Sequence, residues 1–165
     1  MAWGGEIALW ALLSTAAICD LRFNKIPNRL TLPALALGLA IQWLTSGIEG
    51  LARGGLAAGA AFLLFFPLYM FFRTFGAGDV KLLMAAGSFL ETTSIVRVGI
   101  ISVLVGAAVG LVMLIASHGL KTAFSQLRGH LSLTAPKIAS TRIPFAPAVF
   151  CAFVLCKIGG MLAWF

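Results

Sequence analysis

Long apolar runs without a charged side chain are the feature that most restricts how this chain can fold. Residues 54–72 and 98–117 are two such runs. Each is long enough for a helix that crosses a bilayer, which takes about 20 residues. Hydrophobic residues make up 61% of the 165 positions and charged residues only 10%, more apolar surface than a soluble domain of this size can bury. Continuous runs also favour helices over the short alternating segments of barrel strands. The chain is therefore predicted to be an all-α, polytopic membrane protein.

Dividing the chain by these runs predicts six transmembrane helices within a single membrane-embedded domain, 1–165. The predicted helices are 3–21, 30–47, 53–73, 79–91, 95–117 and 144–165. The first run carries Glu6 and has no Lys or Arg ahead of it, so we expect it to stay as a helix and not to be a cleaved signal peptide. Residues 118–143 show apolar side chains at helical spacing with basic residues between them, which predicts an interfacial helix.

The basic residues predict the orientation, because Lys and Arg in short loops stay on the cytoplasmic side. With both termini outside, the residues that fall inside are Arg22, Lys25, Arg29, Arg73, Lys81, Lys121, Arg128, Lys137 and Arg142. Arg53 and Arg97 then lie outside, and Lys157 lies near the outer end of the last helix. Topology and attraction to anionic lipid of the inner leaflet account for the net charge of +7. Nucleic-acid binding is not expected.

Two of the five acidic residues differ from the other three in their predicted side of the membrane. Asp20 ends the first predicted helix and Asp79 begins the fourth, so both lie at the inner face, whereas the glutamates fall at outer ends or loops. Each has an ordinary interpretation: Asp79 as a helix N-cap, and Asp20 as the partner of Arg22 in a surface ion pair. Their similar depth favours a pair, provided that the first and fourth helices are neighbours.

Two adjacent carboxylates share a proton, so one can accept a proton from water while the other polarises a carbonyl oxygen. Such a pair is suited to amide hydrolysis. The helix ends favour charge on Asp79, next to a helix N-terminus and Lys81, over charge on Asp20 at a helix C-terminus. Gly76 and Gly78 permit backbone conformations and close approach, which leaves room for a substrate strand.

The cysteines and histidines do not form a recognisable metal site. Cys19, Cys151 and Cys156 lie in or beside apolar runs without a CxxC pair, and His118 and His130 lack a third ligand. We interpret the cysteines as packing residues, and we expect neither a metal nor another cofactor. A nucleophilic Cys19 is disfavoured because no histidine base is near it in sequence.

Three segments resemble motifs of one family, the type IV prepilin peptidases, which are membrane aspartic peptidases. The matching stretches are "DLRFNKIPN" at 20–28, "GAGDVK" at 76–81 and "PFAP" at 144–147. The resemblance implies that Asp20 and Asp79 are the catalytic pair and activate water without a covalent intermediate or a metal. It also implies a substrate, the precursor of a pilin or pilin-like secretion subunit, cut between a basic leader and an apolar helix. The expected location is the cytoplasmic membrane of a bacterium or archaeon.

Departures from the family pattern limit which activities and which subgroup of the family we expect. Larger members carry an N-terminal extension with a four-cysteine zinc site and also methylate the new N-terminus. Here the first helix begins almost at once, so the expectation is a peptidase without N-methyltransferase activity. The compact form resembles peptidases of tight-adherence (Flp) pili, and preflagellin peptidases are an open alternative. Ala146 replaces the glycine often found in the family's Pro-Phe-Gly-Pro.

Supporting roles are predicted for residues around the two acids. The candidates for substrate binding or support are Gly76, Gly78, Lys81, Arg22, Lys25, Pro27, Asn28, Pro144 and Pro147. The basic ones are equally explained as membrane anchors, and Lys81 by its ammonium group extending to lipid headgroups. Pro27 and Asn28 are expected to shape the turn into the second helix, and the two later prolines the start of the sixth.

Two other functions fit parts of the pattern. A small transporter or secretion-system membrane subunit could use the acids to relay protons or bind a cation, but it predicts acids near mid-membrane. An intramembrane protease of the presenilin type also uses GxGD, but its partner motif is Tyr-Asp, and Asp20 follows Cys19. Neither the oligomeric state nor the particular precursor is predicted.

Overall fold

The fold comes from a computed structural model that describes residues 3–71, 76–130 and 145–160, with side chains for 4–70, 76–112 and 145–160. Every regular element in these ranges is a helix, which confirms the all-α prediction for the described part of the chain. The helices are α1 (Trp3–Phe23), α2 (Asn28–Phe71), α3 (Ala77–Gly87), α4 (Thr92–His130) and α5 (Ala146–Ile158).

Three segments of these helices are long and apolar enough to cross a membrane. They are Gly4–Phe23, Asn28–Met70 and Thr92–Val112. Large apolar side chains such as Leu44 and Leu63 are exposed on the outside of the bundle, which suits contact with lipid tails. The chain is thus a helical protein with the features of a membrane protein. Six crossings and their orientation stay predictions.

A sharp turn at Gly47 divides α2 into two arms, 28–46 and 48–71. Gly47 has φ 62° and ψ −143°, a conformation that a residue with a side chain rarely adopts. A Cβ atom at Gly54 would lie 3.2 Å from Cγ of Gln42 and 3.3 Å from Cδ2 of Leu39. In a straight helix these positions would be separated by about 18 Å or more. The second arm therefore folds back on the first, and the two arms correspond to the second and third predicted helices.

Helices α1 and α5 run antiparallel and are joined by side chains at one end of the bundle. Lys157 forms an ion pair with Glu6, and its ammonium group also lies 5.7 Å from the ring centre of Trp10. Trp10 packs edge-on against Phe153, with ring centres 4.9 Å apart. The start of α1 and the end of α5 consequently lie at the same end, as a common side for both termini requires.

Helix α4 differs from its prediction. It packs against the start of α5, where a Cβ atom at Gly106 would lie 3.1 Å from Cδ2 of Phe145. It then continues to His130, so residues 118–130 are helical as predicted but continuous with α4, and their interfacial location stays a prediction. Residues 131–143 and Pro144 lie outside the described residues. The helical propensity of a mixed polar and apolar segment extends α4 beyond the end of its apolar run.

Helix α3 is shorter than predicted and packs closely on the second arm of α2. It ends at Gly87, and a turn follows in which the Leu90 N–H donates to the Gly87 carbonyl at 3.0 Å. A Cβ atom at Gly87 would lie 3.0 Å from the Ala57 carbonyl oxygen and 3.2 Å from Cα of Ala58. Because these neighbours are backbone atoms, they cannot rotate away.

Gly87→Ala is therefore expected to lower the stability of the bundle by about 1–3 kcal/mol, the usual cost of overpacking. The matched control is Gly59→Ala in the second arm of α2, where an added Cβ meets nothing within 4 Å and helix propensity favours alanine by up to about 1 kcal/mol. Thermal unfolding in detergent measures both. Equal shifts in the two variants would contradict the close contact.

Candidate active site

Asp20 lies in the last turn of α1 and is buried, with 6% of its surface exposed. The helix ends three residues later, at Phe23. Asn24 follows in the left-handed conformation with φ 49°, and its N–H donates to the Asp20 carbonyl oxygen at 2.9 Å. Asparagine is one of the few residues that adopt this conformation at a helix C-terminus. The cap at Asn24 thus leaves Asp20 inside the helix, facing the bundle.

The carboxylate of Asp20 accepts a buried hydrogen bond from the start of α5. The donor is the backbone N–H of Ala146, 2.9 Å from Oδ2. Ala146 is the first residue of α5, whose N-cap residue Phe145 makes no side-chain capping bond. A carboxylate at a helix N-terminus gains from the unsatisfied N–H groups and from the helix dipole. Among the described ion pairs Asp20 is not joined to Arg22, whose side chain is exposed, so the surface ion pair is wrong.

Asp79 is the third residue of α3 and is also buried, with 9% of its surface exposed. Its Oδ2 accepts the backbone N–H of Gly76 at 2.8 Å. Its own N–H donates to the Gly76 carbonyl at 3.0 Å. The N-cap of α3 is therefore Gly76, and Asp79 supplies the returning half of a capping box. The prediction that Asp79 is itself the N-cap is wrong by three positions.

Close approach, and not unusual backbone conformation, explains the two glycines before Asp79. Gly76 has φ −89° and ψ 151°, which any residue can adopt. A Cβ atom there would lie 3.3 Å from the carboxylate of Asp79. At Gly78 it would lie 3.2 Å from Cβ of Ile26. The space beside Gly78, predicted for a substrate strand, is occupied by the chain's own Ile26.

Contacts across the bundle bring the three sequence motifs to one end of the molecule. Gly78 packs on Ile26, in the loop between α1 and α2. Lys81 Nζ donates to Oδ1 of Asn28 at 3.0 Å, which joins α3 to the start of α2. The bond from Ala146 to Asp20 adds the start of α5, and α3 contacts both α1 and α5. Helices α1 and α3, which carry Asp20 and Asp79, are therefore neighbours, as the predicted pair of acids requires.

The bond between Lys81 and Asn28 leads to a prediction. Asn28→Ala and Lys81→Met are each expected to lower the catalytic rate about threefold to tenfold, because an exposed charge-assisted hydrogen bond contributes about 1 kcal/mol. The double variant should lose no more than either single one, since all three remove the same bond. Additive losses would contradict a shared role. Arg53→Met, which removes an exposed ion pair with Glu49, is the control and should leave the rate unchanged.

The other candidate residues lie around this end of the bundle. Arg22, Lys25 and Arg29 are exposed, in agreement with either anchoring or substrate contact. The Pro27 carbonyl accepts the N–H of Leu30 at 3.0 Å and so starts α2. Pro147 lies in the first turn of α5. Supporting roles for these residues stay predictions.

Sequence reasoning missed the groups that hold the two carboxylates. Backbone donors such as the N–H of Ala146 carry no residue-type signal, although the proline at 147 does indicate a helix start. The acceptor role of Asn28 toward Lys81 was also missed, because the two are 53 positions apart. Each carboxylate is held through Oδ2. The preference for charge on Asp79 was based on helix ends alone and did not include the N–H of Ala146 that donates to Asp20. That preference therefore stays a prediction.

The fold and the site define a class: a helical membrane-type protein with two buried aspartates held at adjacent helix ends. The sequence profile of the type IV leader peptidase family matches residues 7–111, and the chain belongs to that family. It is 39% identical over 107 residues to a prepilin leader peptidase/N-methyltransferase of Burkholderia pseudomallei, which covers 62% of this chain and 34% of the relative.

Two further relatives carry the same name. The Aeromonas hydrophila protein is 35% identical over 126 residues, covering 70% of this chain and 43% of the relative. The Bacillus subtilis protein is 32% identical over 153 residues, covering 91% and 53%. The chain thus spans between a third and about half of the length of these relatives. No solved structure gives a significant match.

Proposed function

We propose that this protein is a prepilin leader peptidase that removes the basic leader from a pilin or pilin-like precursor. Asp20 and Asp79 activate the attacking water. One observation carries the proposal: both acids are buried at the end of the bundle where the three family motifs meet, and each accepts a backbone N–H at a helix start. Buried acids gathered in one place are characteristic of functional sites.

The chemistry follows from two carboxyl groups that share one proton. The ionised group accepts a proton from water as the water oxygen attacks the scissile carbonyl carbon. The protonated group donates a hydrogen bond to the carbonyl oxygen and stabilises the charge that develops there. The proton taken from water then goes to the leaving amide nitrogen as the C–N bond breaks. The bonds from Gly76 and Ala146 fix the orientation of both carboxyl groups before substrate binds.

The proposed setting is the cytoplasmic membrane, with six crossings, both termini outside and the two acids at the cytoplasmic face. The ion pair between Glu6 and Lys157 supports a common side for the termini. Exposed Arg22, Lys25 and Arg29 lie near Asp20 in sequence, which supports the cytoplasmic side because basic residues are retained there. Anionic lipid of the inner leaflet is the expected partner of these side chains.

The proposal covers hydrolysis only. The relatives are named for both peptidase and N-methyltransferase activity, and two carboxyl groups explain only the first. The mass of the new N-terminus of the processed subunit distinguishes the two cases. An unmodified amine is expected after processing by this chain alone.

Co-expression with an epitope-tagged prepilin tests the function. We expect a shift to smaller size, with the cut between the basic leader and the apolar helix located by mass spectrometry. The catalytic chain should be expressed in a host that lacks its own prepilin peptidase. An intact precursor in membranes that contain the folded protein would contradict the proposal. Ion flux in proteoliposomes without cleavage would favour the transporter alternative.

A further inference from the structure

The hydroxyl group of Thr31 has no hydrogen-bond partner, although it is buried. Thr31 is 2% exposed. Among the described side chains, its Oγ1 is the one buried nitrogen or oxygen atom without a partner. A buried hydroxyl without a hydrogen bond is unfavourable, and such groups in native proteins call for an explanation.

Five other hydroxyl side chains are bonded to backbone carbonyls close to them in sequence. Those of Ser14, Thr15, Thr45, Ser88 and Ser102 donate to backbone carbonyls three or four residues earlier. For Thr31 the carbonyl four residues earlier belongs to Pro27, and it already accepts the N–H groups of Leu30 and Thr31. The hydroxyl of Thr31 makes no bond of this kind, so its O–H donor is left unused.

Thr31 lies at the depth of the two aspartates. Asp20 is three residues before the end of α1, and Thr31 is three residues after the start of α2. Each is therefore about 4.5 Å inside the bundle from the loop that joins these helices. Asn28, one turn before Thr31, is bonded to Lys81 of α3, two residues after Asp79. Gln42, the other buried polar residue of α2, lies about 16 Å further along the helix.

We infer that the Thr31 hydroxyl donates a hydrogen bond to a backbone carbonyl of the bound substrate beside the scissile bond. This inference rests on the proposed function. A peptide must be extended where it is cut, so its carbonyl groups at that point lack helical partners. A hydroxyl held at the depth of the catalytic acids can supply one of the missing donors. Thr31 then acts as a substrate-binding residue that is satisfied only when substrate is present.

Thr31→Val tests the inference, because valine has nearly the same shape and lacks the hydroxyl. We expect kcat/KM for a prepilin peptide to fall about tenfold to a hundredfold, the effect of losing one donor to a reacting amide. The unfolding temperature should rise by about 2–4 °C, since an unsatisfied buried hydroxyl is removed. Thr31→Ser retains the donor and should retain most of the activity. Lower activity together with higher stability is the diagnostic result.

The matched control is Thr45→Val in the same arm of α2. Its hydroxyl donates to the Ile41 carbonyl at 2.9 Å and is exposed, so its removal should leave the kinetics unchanged. Wild-type kinetics in Thr31→Val, or a parallel loss of stability and activity, would overturn the inference. If wild type cleaves and Thr31→Val is normal, the inference fails while the proposed function stands. If wild type does not cleave, both fail.

Discussion

Asp20→Asn and Asp79→Asn are each expected to abolish precursor cleavage, with a fall in rate of about a thousandfold or more. Asparagine cannot share a proton with the remaining carboxyl group or accept one from water. It still carries an oxygen that can accept the N–H of Ala146 or of Gly76, which hold the wild-type carboxylates. Both variants should therefore insert and fold. The measurement is the processed fraction of a tagged prepilin over time, alongside thermal unfolding of the purified protein.

Glu49→Gln is the matched control for these variants. Glu49 is an exposed acid that pairs with Arg53 close to the turn at Gly47, and its neutralisation should leave cleavage at the wild-type rate. The double variant of Asp20 and Asp79 should be no less active than either single one, because the two groups act as a unit. Appreciable processing by either folded single variant would refute the pair.

Ala146→Pro is expected to lower kcat about a hundredfold. Proline has no N–H, so the substitution removes the donor that orients the carboxylate of Asp20, and a misplaced catalytic group costs about that much. Proline is favoured at the first position of a helix, but it disfavours the helical conformation of the preceding Phe145 and adds volume at a fully buried position. Ala146→Gly retains the N–H and should retain activity. The comparison is made at saturating prepilin, because orientation of Asp20 affects kcat more than substrate affinity.

A second variant separates this effect from misfolding. Replacing residue 146 by lactic acid exchanges the amide for an ester, which removes the N–H and leaves the side chain unchanged. The loss in kcat should match that of Ala146→Pro, with an unfolding temperature close to that of wild type. Full activity of the ester variant would show that the bond to Asp20 is dispensable.

The class of fold and the two acids could be predicted from the sequence, because long apolar runs and an isolated aspartate at each of two helix ends are local signals. Helix boundaries were less predictable. The turn at Gly47 has a positive φ, which glycine allows without requiring, and α4 continues to His130 although its apolar run stops earlier. Boundaries of this kind depend on packing and propensity together.

The contacts that hold the site could not be predicted. The bond between Ala146 and Asp20 joins positions 126 residues apart, and its donor is a main-chain group that any residue except proline would offer. Motif spacing likewise could not show that Ile26 packs on Gly78, because that contact depends on how the loop after α1 meets α3.

The antiparallel helices α1 and α5 are joined near both of their ends. An ion pair links Glu6 to Lys157 at one end, and a hydrogen bond links Asp20 to Ala146 at the other. Between them, the ring of Trp10 contacts Phe150 and Phe153. The two helices are thus in contact along most of their length. If the proposed precursor is a bilayer-inserted helix, we expect it to reach the two acids along a flank of the bundle other than the contact between α1 and α5.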